Sequence, residues 1–289
     1  MSTPPTLAHP AGVRARRLPT PRGELAALEC SPDGAPATPV LLVPGFTGSK
    51  EDFIAVLAPI AQAGHPVVSI DQRGQYESAG GDDPTGYEVK SLAEDVLSVA
   101  EQLGRPIHLV GHSFGGIVSR AAVLADPSAF RSLTLLDSGP AGVPEPSAGA
   151  ARLLLQALVG LDLPTIWSFA RARELKAGQR SGTPPPAPEI EEFLRNRFVA
   201  SHPVALARYG EALISAVDQV DELAATLIPV LVAYGTDDDA WPPALQSEMA
   251  RRLGAADVAL EGAGHSPAAT HPEATVEALV RFWSDLAAS

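Results

Sequence analysis

Short apolar runs separated by helical stretches constrain this chain more than any other feature. Val40–Val43, Pro66–Ile70, Ile107–Val110 and Ser132–Leu136 are each strand-length and almost wholly apolar. A helix-like segment lies between each pair: one to about Ala63, one to about Leu103, and Phe114–Ala125. Ser49-Lys50-Glu51-Asp52 and Ser91-Leu92-Ala93-Glu94 read as capping boxes that open the first two. Continuous apolar strands alternating with helices predict an α/β fold, a mostly parallel sheet covered on both faces. The 289 residues allow one large or two small domains at about 150 residues each.

Upstream, Val13–Leu18 and Glu24–Glu29 flank the turn Thr20-Pro21-Arg22-Gly23 and predict a hairpin. The rhythm breaks after Ser138-Gly139-Pro140 and resumes at Pro229–Tyr234, Asp257–Leu260 and a last helix, Glu273–Leu286. Between lie four helical stretches, Ala150–Gly160, Ile166–Lys176, Glu189–Ala200 and Val204–Val217. The loop Gly178–Pro188, with three consecutive prolines, divides them and is the expected hinge. The expected organisation is a core of 1–140 and 218–289 with a helical insertion at 141–217. The insertion carries eight basic and seven acidic side chains, so the core carries −14 against a net charge of −13 for the whole chain.

Gly111-His112-Ser113-Phe114-Gly115 has the form G-x-S-x-G, directly after a strand and directly before a helix. In that context a sharp turn lifts the Ser113 hydroxyl off the sheet edge. Flanking glycines are needed where side chains would clash. A serine hydroxyl is a poor nucleophile without a base, and the base needs an orienting acid. The expected order is Ser, acid, His, each after a strand. Asp237-Asp238-Asp239 follows Pro229–Tyr234, and Gly264-His265 follows Asp257–Leu260. Any of the three aspartates fits by position, and Asp137, closing an earlier strand, is a further alternative. Two loops can supply oxyanion N–H groups: the turn itself, through Phe114, and Pro44-Gly45-Phe46-Thr47, through Phe46.

Together these pieces, with Asp71-Gln72-Arg73-Gly74, resemble the α/β-hydrolase superfamily over about residues 40–285. The resemblance implies an eight-stranded sheet, a helical cap inserted after strand six, and a serine-hydrolase triad. It makes Ser113 the nucleophile and His265 the general base and acid, and it selects Asp238 as the acid. The chain departs from the family pattern twice. Pro44-Gly45 stands where His-Gly is usual. Arg73-Gly74-Gln75-Tyr76-Glu77-Ser78 carries Tyr76 where the pattern has a second glycine.

The implied activity is hydrolysis of a carboxylic ester, or a related acyl bond, of a small, largely apolar substrate through an acyl-enzyme. Serine at the turn argues against dehalogenase and epoxide hydrolase chemistry, which the family performs with Asp there. A lactonase, thioesterase, carbon–carbon bond hydrolase or cofactor-free haloperoxidase would carry the same triad. A non-catalytic small-molecule receptor is the alternative of another class. Phe46, Phe114, Tyr76, Trp167, Phe169 and Trp241 are candidates for an apolar pocket, with core packing the rival reading for each. Trp241, Tyr76 and Trp167 are the expected substrate contacts.

Other residues have plainer expectations. His112 is a strand-end neighbour pointing away from Ser113. Asp71 and Arg73 form a turn pair, and the Glu189–Arg197 charges form a solvated helix face. The acidic balance, without a Lys/Arg run, speaks against nucleic-acid and anionic-membrane partners. A single Cys30 excludes a disulfide framework or multi-cysteine metal site. No ligand cluster or phosphate loop implies a metal or organic cofactor. No signal-peptide pattern or membrane-length apolar run is visible, so the expected location is cytoplasmic. The apolar Ala150–Gly160 stretch is expected to cover the site, with a homodimer interface as its rival.

Overall fold

Eight strands build one sheet: β1 (Arg14–Thr20), β2 (Gly23–Cys30), β3 (Val40–Val43), β4 (Val67–Ile70), β5 (Ile107–His112), β6 (Phe130–Leu136), β7 (Val230–Gly235) and β8 (Ala256–Leu260). The computed structural model describes residues 2–181 and 184–288. Strand order is β1-β2-β4-β3-β5-β6-β7-β8. The hairpin and its junction with β4 are antiparallel. Every pairing from β4 to β8 is parallel. The carboxyl ends of β3 and β5 to β8 therefore share one edge of the sheet.

The helices are α1 (Ile54–Gln62), α2 (Val89–Leu103), α3 (Phe114–Ala125), α4 (Ser147–Leu158), α5 (Leu163–Ser181), α6 (Pro188–Ala200), α7 (Pro203–Ser215), α8 (Val220–Ala225), α9 (Pro243–Leu253), α10 (Pro267–Thr270) and α11 (Pro272–Ala288). Strand alternation decides which helices cover which face. On β3, Leu41 and Val43 join a cluster with Leu92 and Val96 of α2, Val118 of α3 and Met249 of α9. Val40 and Leu42 join the opposite cluster with Val56 and Leu57 of α1 and Leu279 and Trp283 of α11. Two-sided burial is why the central strands read as unbroken apolar runs rather than alternating ones.

Helices α4 to α7 all lie between β6 and β7 in the chain. They build a third cluster around Ile166, Trp167, Phe193, Leu194 and Phe198. No helix among the described residues is long and apolar enough to cross a membrane. The expected loop at Gly178 starts later, because α5 continues to Ser181. Residues 182 and 183 of that expected hinge lie outside the described residues.

Several local expectations give way to longer-range partners. The second helix starts at Val89, with Glu88 at the N-cap. Ser91 sits inside the first turn and donates to the Thr85 carbonyl at 2.8 Å. A 3-10 turn, Pro84–Tyr87, lies before it, so the helix is already under way at the apparent capping box. Asp71 and Arg73 do not pair with each other. Asp71 pairs with the buried Lys50 at 3.0 Å, and Arg73 grips Asp95 at 2.6 Å.

Arg197 is not on a solvated face. It is buried, pairs with Asp52 at 2.7 Å and donates to the Ser2 carbonyl at 2.7 Å. That pair fastens α6 to the turn after the Phe46 loop. Arg197→Ala leaves Asp52 buried without its partner and costs about 3–5 kcal/mol. Equilibrium denaturation reads it. Replacing both at once, Arg197→Met with Asp52→Leu, recovers most of the loss, because the expensive species is the single orphaned charge.

Candidate active site

Ser113 occupies the tight turn between β5 and α3, with φ 54° and ψ −122°. A non-glycine residue there is strained. The neighbours explain why the turn can close. A Cβ on Gly115 would meet the Val43 carbonyl oxygen at 2.3 Å, and one on Gly111 the Gly115 oxygen at 2.5 Å. The Ser113 N–H donates to the Leu136 carbonyl at 3.0 Å, which anchors the turn to β6.

His265 follows β8, and its Nε2 lies 3.0 Å from Ser113 Oγ. Its Nδ1 lies 2.8 Å from Asp238 Oδ1. Asp238 follows β7; its Oδ1 also accepts from the Ala240 N–H at 2.8 Å, and its Oδ2 accepts from Gln246 Nε2 at 2.7 Å. Burial pushes the Asp238 carboxyl up, but His265, the Ala240 N–H and Gln246 outweigh it and hold it below the ordinary carboxylate range. An ionised acid on Nδ1 leaves Nε2 free to accept the serine proton. The three side chains come from loops after three different parallel strands, so the sheet edge alone brings them together.

The two segments expected to carry oxyanion donors both adjoin Ser113. The Pro44-Gly45-Phe46 loop runs against the serine: a Cβ on Gly45 would lie 3.1 Å from Ser113 Cβ. Gln75 Nε2 braces that loop by donating to the Gly45 carbonyl at 2.8 Å. Phe114 is the first residue of α3, so its N–H has no partner within the helix.

A cleft of about 450 Å³ opens over Ser113 and His265, with Phe46 and Trp241 in its walls. Trp241 is fully buried, its ring centroid 6.0 Å from that of His265, and its Nε1–H donates to the Ala141 carbonyl at 3.2 Å. Trp167 lies farther off, in an apolar groove against Phe198. Phe114 is buried against Tyr209.

Tyr76 lines neither cavity. Its ring packs edge-on against Phe193, and Lys50 Nζ lies over it at 4.7 Å. The backbone there keeps φ 38°, the left-handed conformation that a glycine at the family position would take. Tyr76 thus carries the glycine's geometry and uses its ring to join the core to α6.

Two residues have more to do with the site than the sequence indicated. His112 does not point away from it: its Nε2–H donates to the His265 carbonyl at 2.6 Å, steadying the histidine loop. Burial, with the neighbouring His265 adding to it, pushes His112 down to about 4, so it serves as a neutral donor at neutral pH. Asp137, fully buried at the end of β6, accepts from the Gly235 N–H at 2.9 Å. One oxygen of Asp137, one of Asp238 and a His265 ring nitrogen lie within 4.8 Å of one another. Burial, and then the Asp238 charge, raise the Asp137 carboxyl well above the ordinary range.

Burial beside the Asp238 charge therefore favours the protonated form of Asp137. Its folded-state affinity for the proton exceeds that of the unfolded chain, so its contribution to stability is full at low pH. That contribution falls as pH rises toward the folded value, by up to about 1.4 kcal/mol per pH unit. Asp137→Asn keeps the shape and a donor but removes this slope. Denaturant midpoints at pH 5 and pH 8 should show the variant gaining on the parent as pH rises.

A family model described as "Alpha/beta hydrolase family" matches residues 40–278. The chain belongs to the alpha/beta hydrolase family. Among relatives in that family, the pimeloyl-[acyl-carrier protein] methyl ester esterase of Aeromonas salmonicida is 31% identical over 206 residues, 68% of this chain and 76% of that one. The non-heme chloroperoxidase of Streptomyces lividans is 28% identical over 265 residues, covering 84% and 91%. Of solved structures, a hydrolase from Pseudomonas aeruginosa superposes with a TM-score of 0.76 at 25% identity, covering 95% of this chain and 99% of that one. The alpha/beta hydrolase match spans the sheet from β3 onward and includes α4 to α7. The hairpin β1–β2 lies outside it.

Proposed function

We propose that this chain is a serine hydrolase that cleaves a carboxylic ester, or a related acyl bond, of a small and largely apolar substrate. The observation that carries the reading is the continuous line from Ser113 Oγ to His265 at 3.0 Å and on to Asp238 at 2.8 Å, at a strained turn. His265 Nε2 takes the serine proton as Oγ attacks the scissile carbonyl. The Phe46 and Phe114 N–H groups receive the charge that develops on the carbonyl oxygen. Asp238 stabilises the imidazolium, which then protonates the leaving oxygen. Water enters, gives its proton to His265 and attacks the acyl carbonyl. Ser113 Oγ leaves with the proton, and the acid is released.

In this reading α4 to α7 form a cap over the cleft. Relatives named as esterases support the choice of ester over the family's other acyl chemistries. Rapid acid quench of turnover with a 4-nitrophenyl ester, followed by intact mass, tests it. The expected species is protein plus one acyl group. Turnover with no covalent species, even when deacylation is slowed at low pH, would overturn the covalent route.

A further inference from the structure

A second cavity opens off the catalytic cleft. It has a volume of about 650 Å³ and runs between α4 and α5. The two cavities share Phe46, Thr47, Ser147 and Leu213, so they adjoin at the oxyanion loop. The groove walls are mostly apolar, with Leu154 and Ala157 from α4, Trp167 and Ala170 from α5 and Phe198 from α6, while Arg173 and Glu174 of α5 add charged groups to the lining. Both Ser147, next to the cleft, and Ala157 line it. Ten residues of helix separate them, or about 15 Å.

Exposure at the outer rim points the same way. Leu153, Leu161 and Phe169 are 52%, 44% and 68% exposed, yet all three line this groove. Large apolar side chains held in water beside an apolar trough mark a surface that a ligand covers.

The chemistry of the triad orients the substrate. The imidazolium must hand its proton to the leaving atom, so the leaving group lies on the His265 side. Trp241, Gly264, His265 and Ser266 line the catalytic cleft and do not line the groove. The groove begins instead at Phe46 and Thr47, on the oxyanion side.

We propose that the groove between α4 and α5 is the acyl-chain site, and that the substrates are esters of extended, uncharged fatty acyl groups of about ten to twelve carbons, with a small alcohol. The length follows from the 15 Å of helix at about 1.3 Å advance per carbon–carbon bond of about 1.5 Å. This rests on the serine hydrolase reading and deepens it.

The test measures kcat/KM on two ester series, below their aggregation limits. One lengthens the acyl chain of 4-nitrophenyl esters from acetyl to dodecanoyl. The other lengthens the alcohol of alkyl acetates. The expected result is a rise of roughly threefold per methylene in the acyl series, up to about ten to twelve carbons, since each buried methylene adds favourable transfer energy. The alcohol series stays flat.

Ala150→Phe and Ala170→Trp place bulk in the groove from separate helices. With melting midpoints matching the parent, each should lower the decanoyl-to-acetyl ratio of kcat/KM at least tenfold. A flat acyl series, a rising alcohol series, or variants with an unchanged ratio would overturn the proposal. Failure of the underlying reading looks different. In that case no ester of any length is turned over, and the acyl-chain assignment falls with it.

Discussion

Replacing Ser113 with Ala lowers ester turnover by about 10⁵–10⁶, while the protein stays folded. Alanine cannot form the acyl bond, and it removes no buried packing, because Ser113 Oγ faces the cleft and His265. In the proposed mechanism, what remains comes from the Phe46 and Phe114 N–H groups and from binding, which together still exceed the rate in water. His265→Ala costs about the same, and the double variant is no worse than either single one, because each removes the same proton-coupled attack. Steady-state kinetics on one short ester measures all three. An additive double variant would mean that the two residues act in separate steps.

Asp238→Ala lowers kcat by about 10⁴ and leaves KM nearly unchanged. Asp238 does not line the catalytic cleft, so it has little to give to substrate binding. Its loss leaves His265 Nδ1 without its acceptor, and the ring loses both orientation and the charge that stabilises its protonated form. Gln246 loses one of its acceptors as well, though it keeps the Trp241 carbonyl at 3.0 Å. A rise in KM with kcat intact would place Asp238 in binding rather than catalysis.

Strand positions were legible because burial on both faces writes an unbroken apolar run. Val40–Val43 is a strand over the very residues that read as one. The serine turn was legible because its glycines, strand and helix are all neighbours in the chain. Loops after later strands exposed the aspartate cluster and Gly264-His265 in the same way, though spacing alone did not choose among Asp237, Asp238 and Asp239. In the structure Asp238 is the one within hydrogen-bond reach of His265 Nδ1.

Partners far apart in sequence were not legible. Arg197 finds Asp52 across 145 positions, and His112 reaches the His265 carbonyl across 153. No local pattern separates such a buried arginine from a solvated one. No helix was legible between Pro229–Tyr234 and Asp257–Leu260, where α9 lies, and α9 opens on two prolines, Pro242 and Pro243. Prolines at the first turn open a helix rather than break it, since their missing N–H would have had no partner there.

Covalent labelling with a fluorophosphonate tests the central claim most directly. Such a reagent phosphylates only a serine that a neighbouring base activates. Intact mass should show one adduct per chain, mapped to the peptide containing Gly111–Gly115 and absent from folded Ser113→Ala. Folded protein that stays unmodified, or an adduct that persists in the Ser113→Ala variant, would contradict an activated Ser113 and turn attention to the non-catalytic receptor reading.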